Sequence, residues 1–286
     1  QHPQKIILSQ KSYKVWRFDV ARNDSMKLVP ADADILLSTD LDEWLEPNWS
    51  FDIKNNWEDN QTRGLYLYAW NHTSTGAPSR TFWYDKLHTK EYKWVYPVHE
   101  ALAYVGNQKE VIKTISNRLL LHHYADSSKS RKFYLDLLEL RMGENPADPW
   151  SAIYLSREYF ANGMYQKSIQ FIHNQALALC SDSVDGFFLP QLYYILGVSY
   201  ARLGEVVKAE KFLNIGIASL PVARENYFAL IELLMIQNRV EEAYHILEKM
   251  FKTTRRYYSW LEDESVWGWA VYNLAAWVYL SCNNRE

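Results

Sequence analysis

Hydrophobic and polar positions are patterned differently in the two halves of the chain. From Leu192 to Pro221 the apolar residues fall at helical spacing on two segments. Leu196, Gly197 and Tyr200 lie on the first, Gly204 marks a turn, and Ala209, Leu213 and Gly216 lie on the second. The 3.6-residue period predicts a helix pair with a glycine turn. Gly197 and Ala209 stand where two helices can cross closely. The stretch "ALIELLMIQNRVEEAYHILEKM" repeats the arrangement, with Asn238 at the turn, and Ala243 follows Ala209 by 34 residues. Upstream, "AIYLSREYFANGMYQKSIQFI" carries Tyr159, Gly163 and Ser168. Its turn precedes Gly204 by 41 residues, so the loop "CSDSVDGFF" is expected to hold the excess. A fourth unit opens at "VYNLAAWVYLSCNN", with Tyr279 and Asn283 in register, and stops before a second helix. Repeat arrays close on a polar capping helix, so the C-terminus reads as cut.

The first half alternates short apolar runs with turns. Val20, Met26 and Leu28 give residues 19–29 a helical period that Pro30 ends. Ile35 to Leu37 form a short apolar strand. The runs "RGLYLYAWNHT", "RTFWYDKLH", "YKWVYPVHEALAYVG" (broken at Pro97) and "NRLLLHHYAD" read as further strands, and Lys5 to Ser9 as one more. The expected organisation is an α/β domain over 1–124, a linking helix over 125–147 and helical repeats over 148–286. Three carboxylates, Asp40, Asp42 and Glu43, follow the Ile35–Leu37 strand, at the strand end where open α/β sheets bind ligands.

Composition narrows the function classes. Over 286 residues the chain is 48% hydrophobic and 23% charged, the balance of a globular protein of about two domains. A net charge of −3 argues against a nucleic-acid partner, which calls for a basic surplus. Two cysteines, Cys180 and Cys282, make no disulfide framework and fit a reducing compartment. No apolar run reaches the ~18 residues of a membrane span, and no signal peptide is visible. The chain starts at Gln1 and reads as a fragment. The cluster "KSRK", Lys129 to Lys132, reads as the solvated face of the linking helix.

The carboxylates carry the candidate chemistry. On an extended backbone Asp40 and Asp42 would point to one side and Leu41 away. Hard cations such as Mg²⁺ and Mn²⁺ prefer such oxygen ligands. An isolated D-x-D serves equally to solvate a loop or to cap a helix. A phosphotransferase with Asp40 as nucleophile would want a flexible Gly-Thr after the aspartates, where this chain has Glu43-Trp44.

Two resemblances add to this reading. The helix pairs resemble the tetratricopeptide repeat, and the repeats read as scaffold or partner-binding surface. Separately, "ARN…ADILLSTDLDEWLEP", "DKLHTKEYKWVYPVHEAL" and "LHHYADSSKSRKFYLDLLELRMGENPAD" occur in the order found in family 2 glycosyltransferases of the GT-A, Rossmann-like fold, whose D-x-D-E motif the first contains. That resemblance implies an inverting, metal-dependent transferase that moves a sugar from a UDP- or GDP-sugar donor to a glycan or protein acceptor. Asp42, Asp40 and His123 would hold Mn²⁺ or Mg²⁺, with His122 a weaker choice than His123. Asp40, Arg22, Asn23 and Glu43 would lie at the donor. Glu100 would act as general base beside His99. Only 20 residues precede Ala21, so the first part of such a domain would be missing. The implied location is the cytoplasm or the inner membrane face. The rival reading is a non-catalytic repeat scaffold, binding a protein partner on its repeat face, with a degenerate α/β domain attached.

Overall fold

A computed structural model describes residues 7–72, 76, 78–124, 133–181, 186–254 and 263–283. The chain divides into two compact units, Gln1–Phe133 and Tyr134–Glu286. The "KSRK" cluster and the middle of the "CSDSVDGFF" loop lie outside the described residues.

The first unit opens with helix α1 (Phe18–Met26), and the chain turns through Lys27 and Leu28 before Pro30. Strands β1 (Leu36–Leu37) and β2 (Glu43–Leu45) flank the acidic turn, and helix α2 (Trp49–Asn56) follows. Strands β3 (Arg63–His72), β4 (Pro78–His88) and β7 (Ile112–His123) make the body of the sheet, while β5 (Tyr92–Val95) and β6 (Ala101–Tyr104) form a separate hairpin. The main sheet runs in the order β1-β4-β3-β7-β2. Every neighbouring pair is antiparallel except β3 with β7.

This corrects the expected Rossmann-like sheet. Crossovers between parallel strands are usually helices, whereas the one parallel pair here, β3 with β7, is joined through β4, β5 and β6, and this unit carries two described helices against seven strands. The consecutive strands that pair, β3 with β4 and β5 with β6, do so antiparallel, and a GT-A domain is not shown. Residues 7–9 form no strand. Pro97 does separate β5 from β6, as its missing N–H requires.

The sheet core is Tyr66, Tyr68, Leu87, Ile115, Leu119 and Leu121, with Ile53 of α2 packed on it. Gly64 occupies a crowded point of β3. A Cβ there would sit 2.8 Å from both Ile115 and Leu87, so close strand packing excludes a side chain.

The second unit is helical among its described residues. Helix α3 (Tyr134–Glu144) precedes α4 (Pro149–Ala161), whose N-terminus is capped by Asp148 accepting from Trp150 N and Ser151 N. The second helix of this pair runs as α5 (Tyr165–Phe171), a π-helical stretch Ile172–Ala176 and α6 (Leu177–Ser181). Part of the excess length expected in the following loop is therefore absorbed by a longer helix with a π insertion. Helices α7 (Phe188–Arg202) and α8 (Val206–Ser219), then α9 (Arg224–Ile236) and α10 (Val240–Phe251), are the next pairs, and α11 (Trp269–Asn283) is the last helix. Three turns share one device. Gly163, Gly204 and Asn238 have φ of 71°, 77° and 60°, the left-handed conformation that ends a helix and reverses the chain. The core of the later pairs is continuous, from Ala209 and Leu213 through Leu230, Ile231, Ala243 and Leu247 to Val271 and Leu274.

Candidate functional site

The acidic turn is built differently from the sequence expectation. Glu43 N donates to Asp40 O at 3.2 Å, so residues 40–43 form a tight turn, not an extended strand. The Glu43 carboxylate accepts from Asp40 N at 2.8 Å and from the Tyr68 hydroxyl at 2.7 Å, which ties the turn to β3. Leu41 points into solvent.

The structure does bring several of the chosen residues together. Arg22 of α1 donates to Glu100 Oε1 at 2.6 Å and to Asp40 Oδ1 at 2.8 Å. Burial works to lower the Arg22 pKa, but the Glu100 and Asp40 carboxylates outweigh it and raise the pKa, keeping the guanidinium charged. Lys86, which sequence reasoning missed, is buried with its Nζ 3.5 Å from Glu100. Asn23 exchanges two hydrogen bonds with the Trp94 backbone at 2.8 and 2.9 Å, so it splices α1 to β5. His123 Nε2 lies 3.8 Å from Asp42 Oδ2. His122 faces elsewhere, toward Glu46 at 2.8 Å and His72 at 3.1 Å. His99 sits in the bend after β5 with φ of 49°.

These side chains do not fit a divalent cation. Asp40 is engaged by a guanidinium, which competes with a cation for its lone pairs. Among the described residues no group of three or more His, Cys, Asp or Glu converges on a point where a metal could sit, whereas hard cations need several oxygen donors at once. The cluster is a satisfied ion network that joins α1, the acidic turn, β4 and the segment after β5.

A second site lies in the helical unit. Half-buried Phe160 of α4, Tyr194 and Val198 of α7, and Phe228 and Ala229 of α9 line an open cleft of about 190 Å³. Arg202, Glu225, Glu232, Asp263, Ser265 and Val266 complete its wall. All three helices are the first members of their pairs. Tyr194, Val198 and Arg202 recur at i, i+4 and i+8, as do Glu225, Ala229 and Glu232 at nearly the same interval, so each helix presents one side of itself. The cleft is smaller than the 300–1,000 Å³ of small-molecule sites and has room for one or two side chains. Burial pushes the Tyr194 hydroxyl up to about 12, helped by Asp263, Glu225 and Glu232 and opposed by Arg202. Burial also raises the Glu232 carboxyl, against the charge of Arg202, although Glu232 lies at the open mouth. The helical period was legible in the sequence. The convergence of one side of three helices on a cleft was not.

No protein-family model matches the chain, and no curated protein matches it. Solved structures do show similarity. A MamA structure from AMB-1 has 18% identity and a TM-score of 0.38 over 52% of this chain and 78% of that one. A MamA structure from MSR-1 has 18% identity and a TM-score of 0.34 over 42% of this chain and 64% of that one. PilF of Pseudomonas aeruginosa has 8% identity and a TM-score of 0.36 over 42% of this chain and 52% of that one. This chain thus spans less than two thirds of the latter two. At these scores the likenesses carry no argument about function, and the tetratricopeptide-type reading of the second unit rests on its own helix pairs and left-handed turns.

The glycosyltransferase expectation is corrected. The acidic turn holds an ion network where a metal centre was expected: Asp40 is bound by Arg22, and among the described residues no three metal-ligating side chains converge. The nucleotide-sugar donor, the sugar acceptor and the transferase activity fall with it. Among the described residues no helix is long and apolar enough to cross a membrane.

Proposed function

We propose that this protein is a non-catalytic scaffold whose helical unit binds a partner protein along the first helices of its repeat pairs. The observation that carries this reading is the cleft shared by α4, α7 and α9, where aromatic and aliphatic side chains stay half-buried instead of entering the core. A helix pair buries one face on its neighbours and leaves the other lining a concave surface. An extended segment fits such a surface because its alternate side chains reach small pockets. The first unit, with its internally satisfied ion network, serves as an attached domain in this reading.

The test is site-specific photo-crosslinking. A photoreactive amino acid at Val198, in the cleft, is expected to capture a discrete protein partner in cells. The same group at Val207, which is 83% exposed on α8, is expected not to. Equal capture at both positions, or none at Val198, would refute the assignment of the binding face.

A further inference from the structure

Helix α11 has two apolar faces, and the core uses one of them. Val271, Leu274, Ala275 and Val278 are buried in the core shared with α9 and α10. On the opposite face Trp269, Tyr272, Ala276 and Leu280 recur at intervals of three and four residues and are exposed. Trp269 is 71% exposed, Tyr272 65% and Leu280 63%. The alanine–leucine spacing of this outer face is also the spacing on which the helix pairs close. Ala209 and Leu213 of α8, and Ala243 and Leu247 of α10, stand four residues apart and are buried. The α7 backbone at Gly197 passes so near Leu213 that a Cβ there would stand 2.5 Å from it, so a small residue facing a leucine lets two helices cross closely. In α11, Ala276 and Leu280 repeat the spacing on a face turned to solvent. None of the 15 residues of α11 is Asp, Glu, Lys or Arg.

We infer that a second copy of this chain covers the outer face of α11, the two α11 helices packing antiparallel about a two-fold axis. No residue of this face lines the cleft, so the inference does not depend on what the cleft binds. A two-fold contact requires a self-complementary surface, and this one is self-complementary in a single register. Ala276 and Leu280 lie two residues either side of Val278, and exposed Asn273 and Asn283 lie five residues either side of it. An axis at the level of Val278 sets Leu280 of each copy over Ala276 of the other, and Asn273 of each opposite Asn283 of the other. The leucine meets a small residue, as Leu213 meets Gly197. The facing asparagines can exchange amide hydrogen bonds, and such a pair fixes register because a slip would bury the amides unpaired. The helix sets no charge of its own against a like charge. An aromatic side chain offers roughly 150–250 Å². At the exposures of Trp269, Tyr272 and Leu280, with Trp277 also exposed, each copy presents on the order of 500 Å² of apolar surface. Two copies would bury on the order of 1,000 Å², the size at which a specific interface begins.

The experiment is sedimentation velocity on the full chain, loaded from about 1 to 100 μM, a range suited to an interface of this modest size. The wild type is compared with Leu280→Glu and, as a control on α8, Val207→Glu. Both positions are exposed, so the variants are expected to fold, and far-ultraviolet circular dichroism checks that they do. The mass of the wild type should rise with concentration from 33.8 kDa toward twice that value and no further. Leu280→Glu should weaken association at least about tenfold, and Val207→Glu should leave it unchanged. Register is read by disulfide cross-linking in a Cys282→Ser background. Asn273→Cys chains mixed with Asn283→Cys chains should form the mixed disulfide, and neither variant alone should cross-link. Like positions would stand about 15 Å apart along the helices, beyond the reach of a disulfide. A monomer at every concentration would overturn the inference and leave the face to some other helix. A dimer indifferent to Leu280→Glu, growth beyond a dimer, or cross-links between like positions would overturn it as well.

Discussion

Replacing Gly197 by alanine sets two opposing effects against each other, and the structure decides the sign. Gly197 is buried in the middle of α7. In an unencumbered helix, Gly→Ala stabilises by about 1 kcal/mol because alanine loses less backbone entropy on folding. Here the new Cβ would stand 2.5 Å from Leu213 Cγ, 2.6 Å from Leu213 Cδ2 and 3.3 Å from the Ala209 carbonyl oxygen. Leu213 is 1% exposed, so its side chain has no open direction in which to retreat. Overpacking of this kind costs roughly 1–3 kcal/mol. The clash is expected to win, for a net loss of up to about 2 kcal/mol. In a body of this size each kcal/mol lowers Tm by roughly 2–4 °C.

A double-mutant cycle makes the reasoning falsifiable. Leu213→Ala alone should cost about 2–5 kcal/mol through its cavity. In that background Gly197→Ala meets no leucine, so it should become neutral or stabilising by up to about 1 kcal/mol. The coupling between the two sites should then be roughly 1–3 kcal/mol. Hydrogen exchange at the amides of α7 and α8 is the appropriate readout, because a global signal would mix the two units. Stabilisation by Gly197→Ala in the wild type, or the same effect in both backgrounds, would refute the account of tight helix crossing.

Two further outcomes follow from buried polar groups. Arg141 is 3% exposed and donates to Asp148 at 3.0 Å and to Ser151 Oγ at 2.8 Å, so Arg141→Ala should destabilise the helical unit by roughly 3–5 kcal/mol by stranding a buried carboxylate, with urea denaturation as the check. His88 is fully buried, donates from Nδ1 to the Thr89 carbonyl at 2.6 Å, and has its pKa pulled below 6.5, chiefly by desolvation. Its neutral form is the one the fold accepts, so the unfolded chain binds the extra proton first. Its contribution is complete above about pH 6.5 and is lost as pH falls through the lower folded value. Thermal melts of the wild type should weaken below pH 6.5, and His88→Gln should flatten that slope. Parallel wild-type and variant profiles would refute the assignment.

The chain itself determined a good deal. The helix pairs around Gly163, Gly204 and Asn238 were legible because both signals are local, a 3.6-residue apolar period and a residue that tolerates positive φ at the turn. The break at Pro97 was legible because proline has no N–H to give a strand ladder. The identity of the first unit was not. The resemblance led to a metal-dependent transferase, but the stretch from Asp40 to Glu43 folds as a turn, and its first carboxylate is claimed by Arg22, 18 residues away.

Only the tertiary structure decided what those charges meet. Arg22 and Glu100 are separated by 78 residues, and no local pattern states that they are bonded. The same holds for the mostly antiparallel sheet, whose strand order follows from packing of Tyr66, Leu87 and Leu121 into one core, and for the cleft, which exists only where α4, α7 and α9 converge. Periodicity says which face of an element is apolar. Which faces come together, and which charge lies within reach of which, depends on contacts between residues distant in sequence, and those arise only when the whole chain is folded.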